Sequence, residues 1–281
     1  MSTDAGSPNP FLLVAIDAVR RAGEIQLAFL GGDLDITVKE GTDIVTRADL
    51  EVEAMFRRMI AERFPGHGVL AEEMAETQAA PETPAGHGAT SGARRHHRWL
   101  FDPIDGTVNY AHGLPFFCAS LALEVSGVVE VAAVFEPSRQ ELFSAERSKG
   151  AWLNGQAICV SKTARISEAA LGTGFPHSAI ARDRAMEELL GGLAIRARAM
   201  RRFGSAALDL CYVACGRLDG FWDKNLKAWD IAAGSLIVEE AGGTVTAITG
   251  ETFSCDGGNV LASNGRLHQE LAGEVQRALR F

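Results

Sequence analysis

The stretch Trp99-Leu100-Phe101-Asp102-Pro103-Ile104-Asp105-Gly106-Thr107 decides how the rest of the chain is read. Three apolar residues lead into Asp102 as a buried strand would, and a second acid follows three residues later. Pro103 fixes its own φ and biases Asp102 towards extended geometry, so both carboxylates and the Ile104 carbonyl can converge on one point. Donors made only of oxygen suit a hard cation such as Mg2+ or Mn2+. Gly106 lets the backbone come close to a ligand, and a helix starting here would turn free N–H groups and its positive end towards a phosphate. Thr107 adds a hydroxyl able to orient a water.

Other acids stand at the ends of predicted elements: Asp49, Glu72, Glu73 and Asp230. The run Gly68 to Ala71 reads as a short strand delivering Glu72 and Glu73 at its C-terminal end. Asp49 precedes a helical face of Val52, Met55, Phe56, Met59 and Ile60 that stops at Pro65-Gly66. Each acid alone has a plainer reading. Asp230 could only cap the helix that follows, Asp105-Gly106 could only turn the chain, and Glu72-Glu73 could only be an exposed strand end.

Working outward, Leu12, Ile16, Val19, Gly23, Leu27 and Leu30 recur at helical steps up to Gly31-Gly32. From Trp99 to about residue 160, strand-like runs are separated by Ser126-Gly127, Pro137-Ser138 and Asn154-Gly155, spacing that predicts antiparallel pairing. After residues 171–175 the chain alternates: helices at about 182–192, 205–215 and 230–241, a strand near Val260, and a last helix carrying Leu267, Leu271, Val275 and Leu279. Sheets covered by helices are the economical arrangement, an α/β layered fold. We expect one catalytic unit of two subdomains, residues 1–170 and 171–281. Between Met74 and Arg98 the composition turns to Ala, Pro, Gly, Thr and Ser, which predicts a flexible loop. Its basic end, ARRHHR, reads as a solvated surface tract rather than a metal site.

With 281 residues, 47% of them apolar, the chain can bury a large core. A net charge of −9 argues against nucleic-acid binding, which draws affinity from Lys and Arg. An anionic substrate would therefore need metal ions to attract it. The N-terminal apolar stretch lacks a basic lead and is broken by Asp17 too early for a signal peptide or membrane span, so a cytoplasmic protein is expected. Five scattered cysteines without a CxxC pair indicate neither a disulfide framework nor zinc, and Cys211 and Cys215 read as small core residues.

Six segments carry a family resemblance: DIVTRADLEVE, GVLAEE, WLFDPIDGTVNY, GAWLNGQ, RRFGSAALDLCYVACGRLDGFW and AWDIAAGSLIVEEAGG. The chain resembles the inositol monophosphatases, within the lithium-sensitive phosphatases, over most of its length. That resemblance implies an alternating αβαβα sandwich, a homodimer, and hydrolysis of a phosphate monoester with two or three Mg2+ ions. It implies Glu72, Asp102 and the Ile104 carbonyl as ligands of one metal, and Asp102, Asp105 and Asp230 as ligands of a second. Glu73 would support them from behind. Asp49 and Thr107, assisted by Glu72, would orient and help deprotonate the attacking water. The substrate would meet Asp105, Gly106 and Thr107 at its phosphate, Gly204, Ser205, Ala206 and Asp223 at its hydroxyls, and Lys39 near the mouth.

Ser205 has an equally good reading as an N-cap. Asp223 stands where inositol-using members commonly carry Glu, Ala228 stands where many bacterial relatives have Pro, and the 74–98 loop is long enough to cover the site or reach a neighbouring subunit. Myo-inositol 1-phosphate leads as substrate, followed by histidinol phosphate, fructose 1,6-bisphosphate and 3′-phosphoadenosine 5′-phosphate. Two rival readings stand against this. A haloacid-dehalogenase-type phosphatase needs its nucleophilic Asp two residues before the second, whereas Asp102 and Asp105 are three apart. A regulatory or RNA-associated interaction protein could keep the fold without turnover.

Overall fold

The computed structural model describes residues 9–39, 43–78, 96–174 and 191–278. Helix α1 (Pro10–Phe29) is followed by a two-stranded hairpin, β1 (Thr37–Val38) and β2 (Ile44–Val45), then α2 (Arg47–Arg63). Strands β3 (Gly68–Ala71) and β4 (His97–Asp105) lead to the short α3 (Thr107–Ala111). The meander β5 (Cys118–Val125), β6 (Val128–Glu136), β7 (Glu141–Glu146), β8 (Gly150–Leu153) and β9 (Gln156–Ala157) completes a seven-stranded sheet in sequential order. All its pairings are antiparallel except β3 with β4. A parallel neighbour cannot be joined by a two-residue hairpin, and β3 and β4 are separated by residues 72–96 in the sequence.

The second sheet has five strands. Its members are β10 (Ala170–Thr173), β11 (Ala199–Arg201), β12 (Gly220–Lys224), β13 (Thr244–Thr246) and β14 (Asn259–Ser263). They lie in the order β11-β10-β12-β14-β13. Among the described residues, α4 (Ala206–Ala214), α5 (Ala228–Glu240) and α6 (His268–Ala278) accompany them, and residues 191–196 are also helical.

Side-chain alternation explains the layering. Along β4, Trp99 and Phe101 join one core with Val52 and Phe56 of α2, while Leu100 between them joins another with Leu208 of α4 and Ile231 of α5. The second sheet does the same: Phe221 faces the α4/α5 core, and Trp222 packs with Leu267 and Leu271 around α6. Both sheets are thus apolar on both faces, and the order α1/α2, sheet, α4/α5, sheet, α6 follows. Each fully buried large apolar side chain contributes roughly 1.5–3 kcal/mol. This is the expected αβαβα arrangement.

The structure differs from the sequence reading in several places. The hairpin β1–β2 and strand β10 were not expected. Asp49 and Asp230 lie inside their helices at the third position, because α2 starts at Arg47 and α5 at Ala228. The predicted 74–98 loop is shorter at both ends: Thr77 exchanges backbone hydrogen bonds with Val69 at 2.9 Å, and β4 already begins at His97. Its middle, residues 79–95, lies outside the described residues, as do most of the helix expected at 182–192 and Leu279.

His97 corrects the solvated-tract reading. Its ring stacks on His67 at 4.3 Å and 5°, and Trp99 Nε1 donates to His67 Nδ1 at 3.0 Å. The tract ends in a strand, and strand pairing carries His97 under its neighbours. Burial, reinforced by His97, pushes the His67 imidazole down to about 4. Below the ordinary value near 6.5 the unfolded chain takes up a proton that the folded protein refuses, so stability falls as pH drops from about 6.5 towards 4. Thermal melts across that range should therefore slope less steeply in His67→Phe; an unchanged slope would refute the assignment.

A carboxylate cluster as candidate active site

Strand β4 is interrupted where the chemistry starts. Its register against β5 shifts between Asp102 and Asp105, freeing the turn at Pro103-Ile104 from the ladder. Asp102 is buried, and its Oδ1 accepts a hydrogen bond from the Ile104 N–H at 2.9 Å. Burial, and then the negative charges of Glu72, Asp105 and Asp230, push its pKa well above the ordinary range. Asp230 is raised in the same way, by burial and then by Asp105, although Lys227 N donates to its Oδ2 at 2.7 Å. Asp105 is better compensated. Its Oδ2 accepts from Ser205 Oγ at 2.7 Å and Ala207 N at 2.6 Å, and burial raises it only to about 6.

Glu72 follows β3 and is raised by burial against the pull of Lys39. The Lys39 ammonium, delivered by the β1–β2 hairpin, donates to Glu72 at 2.9 Å and to Glu73 at 2.6 Å. Burial alone would lower Lys39; the two acids outweigh it and raise it. Glu73 is pushed up to about 7 by burial and by Glu72. At the start of α2, Asp49 Oδ2 accepts from both Thr46 N (2.8 Å) and Thr46 Oγ1 (2.6 Å). Its Oδ1 is buried with no hydrogen-bond partner among the described residues, and burial holds Asp49 at about 7 despite the Thr46 donors.

Gly106 has φ +97°, and a Cβ there would stand 2.9 Å from Phe116 O, so only glycine fits. Thr107 Oγ1 donates to Ile104 O at 2.9 Å. The helix that follows is five residues long, so its macrodipole is small and only its first N–H groups are on offer to an anion. Ser205 fulfils the N-cap reading, accepting from Leu208 N (3.4 Å) at the start of α4, and it also donates to Asp105. Asp223 of β12 is buried and raised to about 7; its Oδ1 accepts from Lys224 N at 2.8 Å, and its Oδ2 occupies the space a Cβ on Gly174 would fill, 1.7 Å away. It feels Asp105. The structure therefore gathers Asp49, Glu72, Glu73, Asp102, Asp105, Asp223 and Asp230, with Lys39, around one region.

The model of the inositol monophosphatase family matches residues 7–280. The chain belongs to that family. An inositol-1-monophosphatase from Synechocystis sp. is 39% identical over 265 residues, covering 93% of this chain and 87% of that protein. A Nus factor SuhB from Pasteurella multocida is 37% identical over 273 residues, covering 96% and 97%. The crystal structure of extragenic suppressor protein suhB from Bartonella henselae superposes with a TM-score of 0.87 at 34% identity, covering 96% of this chain and 99% of that one.

In this inositol monophosphatase family member, three supporting residues escaped the sequence reading. Glu53 is fully buried and accepts from Glu73 N (2.7 Å), Met74 N (3.0 Å) and Arg57 Nε (2.7 Å), so it shapes the turn that presents Glu72. Gln26 donates to Pro103 O at 2.7 Å, steadying the interrupted strand. Asn109 donates to Phe116 O and Phe203 O. Only Glu53 carried a signal, a Glu–Arg pair four apart on one helix face.

A hard divalent cation fits this donor set. Glu72, Asp102, Asp105 and Asp230 are mutually repelling carboxylates, the middle two buried and the outer two partly so, and one Asp49 oxygen has no partner among the described residues. Repulsion of that kind is relieved by positive charge. Among the described residues, no three His, Cys, Asp or Glu side chains already stand close enough to ligate one ion, so the fit rests on donor chemistry and charge rather than on a preformed coordination shell.

Proposed function

We propose that the chain is a Mg2+-dependent phosphomonoesterase, with myo-inositol 1-phosphate its first substrate, and that water attacks phosphorus directly without a covalent enzyme intermediate. The carrying observation is the set of carboxylates, Asp102 and Asp105 buried and Glu72 and Asp230 partly so, converging from separate segments with too little cationic charge to balance them. With the Ile104 carbonyl, these residues would hold two or three Mg2+ ions, Mn2+ being a possible substitute. The chemistry such ions supply is charge neutralisation at the phosphoryl oxygens and acidification of water.

The chain's own groups do the rest. Asp49, with one oxygen unpartnered among the described residues, accepts a proton from the attacking water, which Thr107 Oγ1 orients. Glu72 assists, and Glu73 with Lys39 holds Glu72 in place. Gly106 and Thr107 offer N–H groups to the phosphate. The alcohol faces Gly204 to Ala206 and Asp223, whose shorter side chain leaves more room than a Glu. Lithium sensitivity, a homodimeric assembly and a cytoplasmic location complete the reading; among the described residues no helix is long and apolar enough to cross a membrane.

Relatives named Nus factor match as well as those named phosphatase, which favours a second reading as a regulatory interaction protein that retains the fold. The complete acid set places hydrolysis first. The deciding experiment measures kcat/KM on myo-inositol 1-phosphate, histidinol phosphate, fructose 1,6-bisphosphate and 3′-phosphoadenosine 5′-phosphate with Mg2+, then adds Li+. The inositol ester should be preferred and Li+ should inhibit. A preference for histidinol phosphate would displace the substrate, and no phosphate release from any ester would overturn the enzyme reading.

A further inference from the structure

The two loops that frame the candidate site belong to different sheets, and their backbones nearly touch. Gly106 and Gly204 both have positive φ, +97° and +86°, and a Cβ on Gly106 would stand 3.2 Å from Gly204 O. Such close approach leaves no room for a side chain between them. One amide fills the angle beside this contact. Asn109, in the first turn of α3, donates through Nδ2 to Phe116 O at 2.8 Å and to Phe203 O at 2.7 Å. Its orientation is unambiguous, because both partners are carbonyls and only the NH2 end of the amide can donate to them. Both Nδ2 hydrogens are used. The rings of Phe116 and Phe203 stack at 4.6 Å beneath the same junction, so the amide closes the polar edge of an apolar seam.

We propose that Asn109 is a positioning residue for substrate selection: its amide clamps the Gly204-Ser205-Ala206 loop to the Gly106-Thr107 turn. Phe203, which it holds, directly precedes Gly204, and the next residue, Ser205, donates to Asp105. Releasing the clamp frees the loop that meets the alcohol while leaving Asp102 and its Ile104 partner untouched. No other side chain among the short polar residues reproduces this arrangement: Asp presents oxygens to two carbonyls, Ser supplies one hydrogen, and Ala none. This inference rests on the phosphatase reading above for its kinetic consequence, though not for its structural one.

The test compares wild type with Asn109→Ala, Asn109→Ser and Asn109→Asp on myo-inositol 1-phosphate and on phenyl phosphate, whose leaving group has no further hydroxyls for the loop to meet. Loss of two hydrogen bonds should raise KM for the inositol ester ~10-fold in Asn109→Ala, more in Asn109→Asp and less in Asn109→Ser. The value of kcat/KM on phenyl phosphate and the Mg2+ concentration for half-maximal rate should stay within about 3-fold of wild type. Equal loss on both esters, or no loss on either, overturns the selection role. Amide hydrogen exchange is read in parallel: the backbone amides of the loop from Phe203 to Ala206, which the clamp holds at Phe203 O, should exchange ~10-fold faster in the Ala variant. Unchanged exchange overturns the clamp whatever the activity, and Asn109→Ser decides it where the Ala variant does not fold. Should wild type hydrolyse neither ester, the phosphatase reading fails while exchange still judges the clamp.

Discussion

Asp102→Asn is expected to lower kcat/KM by about three orders of magnitude, ~4 kcal/mol of transition-state stabilisation, while making the metal-free protein harder to unfold. The two effects have one cause. Asp102 is buried and faces Glu72, Asp105 and Asp230, so its charge costs free energy until a cation compensates it. Asparagine keeps the oxygen that accepts from the Ile104 N–H and removes the charge. Relief of about 1 kcal/mol would raise the melting temperature of a chain this size by roughly 2–4 °C in the presence of a chelator. Paired melts and initial rates on the two proteins check this. A variant that loses activity and stability together would indicate that Asp102 is a structural residue rather than one held charged for function.

Removing divalent metal should abolish turnover and lower the melting temperature of the wild-type protein. A ligand that binds only the folded state at 100 times its dissociation constant stabilises by about 2.7 kcal/mol. For this chain that corresponds to a rise of roughly 5–10 °C on adding Mg2+ to chelator-treated protein. The same titration on Asp102→Asn should give a much smaller rise, since the charge that draws the ion is gone. Full activity in excess chelator, or identical shifts in both proteins, would exclude the carboxylate cluster as the metal site.

Much of this was readable in advance where a residue's neighbours in sequence are also its neighbours in space. The strands of the seven-stranded sheet were legible because turns such as Ser126-Gly127 and Asn154-Gly155 punctuate them, and both residues sit at positive φ. Helices α1, α2 and α4 to α6 were legible from spacing. The layers were harder. β4 is apolar at every position from Trp99 to Phe101, so its sequence says that both faces are covered without saying by what; only the partition between the α2 core and the α4/α5 core answers that. The hairpin β1–β2 is two residues per strand, too short for any period, and β10 is a strand because β11 and β12 flank it.

In the site, the acids stood out by residue type, whereas Glu53, Gln26 and Asn109 act through partners far along the chain, Gln26 reaching Pro103 across 77 residues and Asn109 reaching Phe203 across 94. Nothing local marks such residues. His97 was misread for the converse reason: a basic, histidine-rich run has a solvated composition, and its last members are drawn under cover by the pairing of β4 with β5.

The bond from Ser205 to Asp105 spans 100 residues and joins the two sheets. On the ribosome, where a chain emerges from its N-terminus, Asp102 and Asp105 are made long before the donors that satisfy Asp105 and before Asp230 exists. Strand β4 therefore carries these acids before their later partners have been synthesised. If the proposed function holds, metal loading would follow the synthesis of Asp230, and a product truncated before it would carry Asp102 and Asp105 without that ligand.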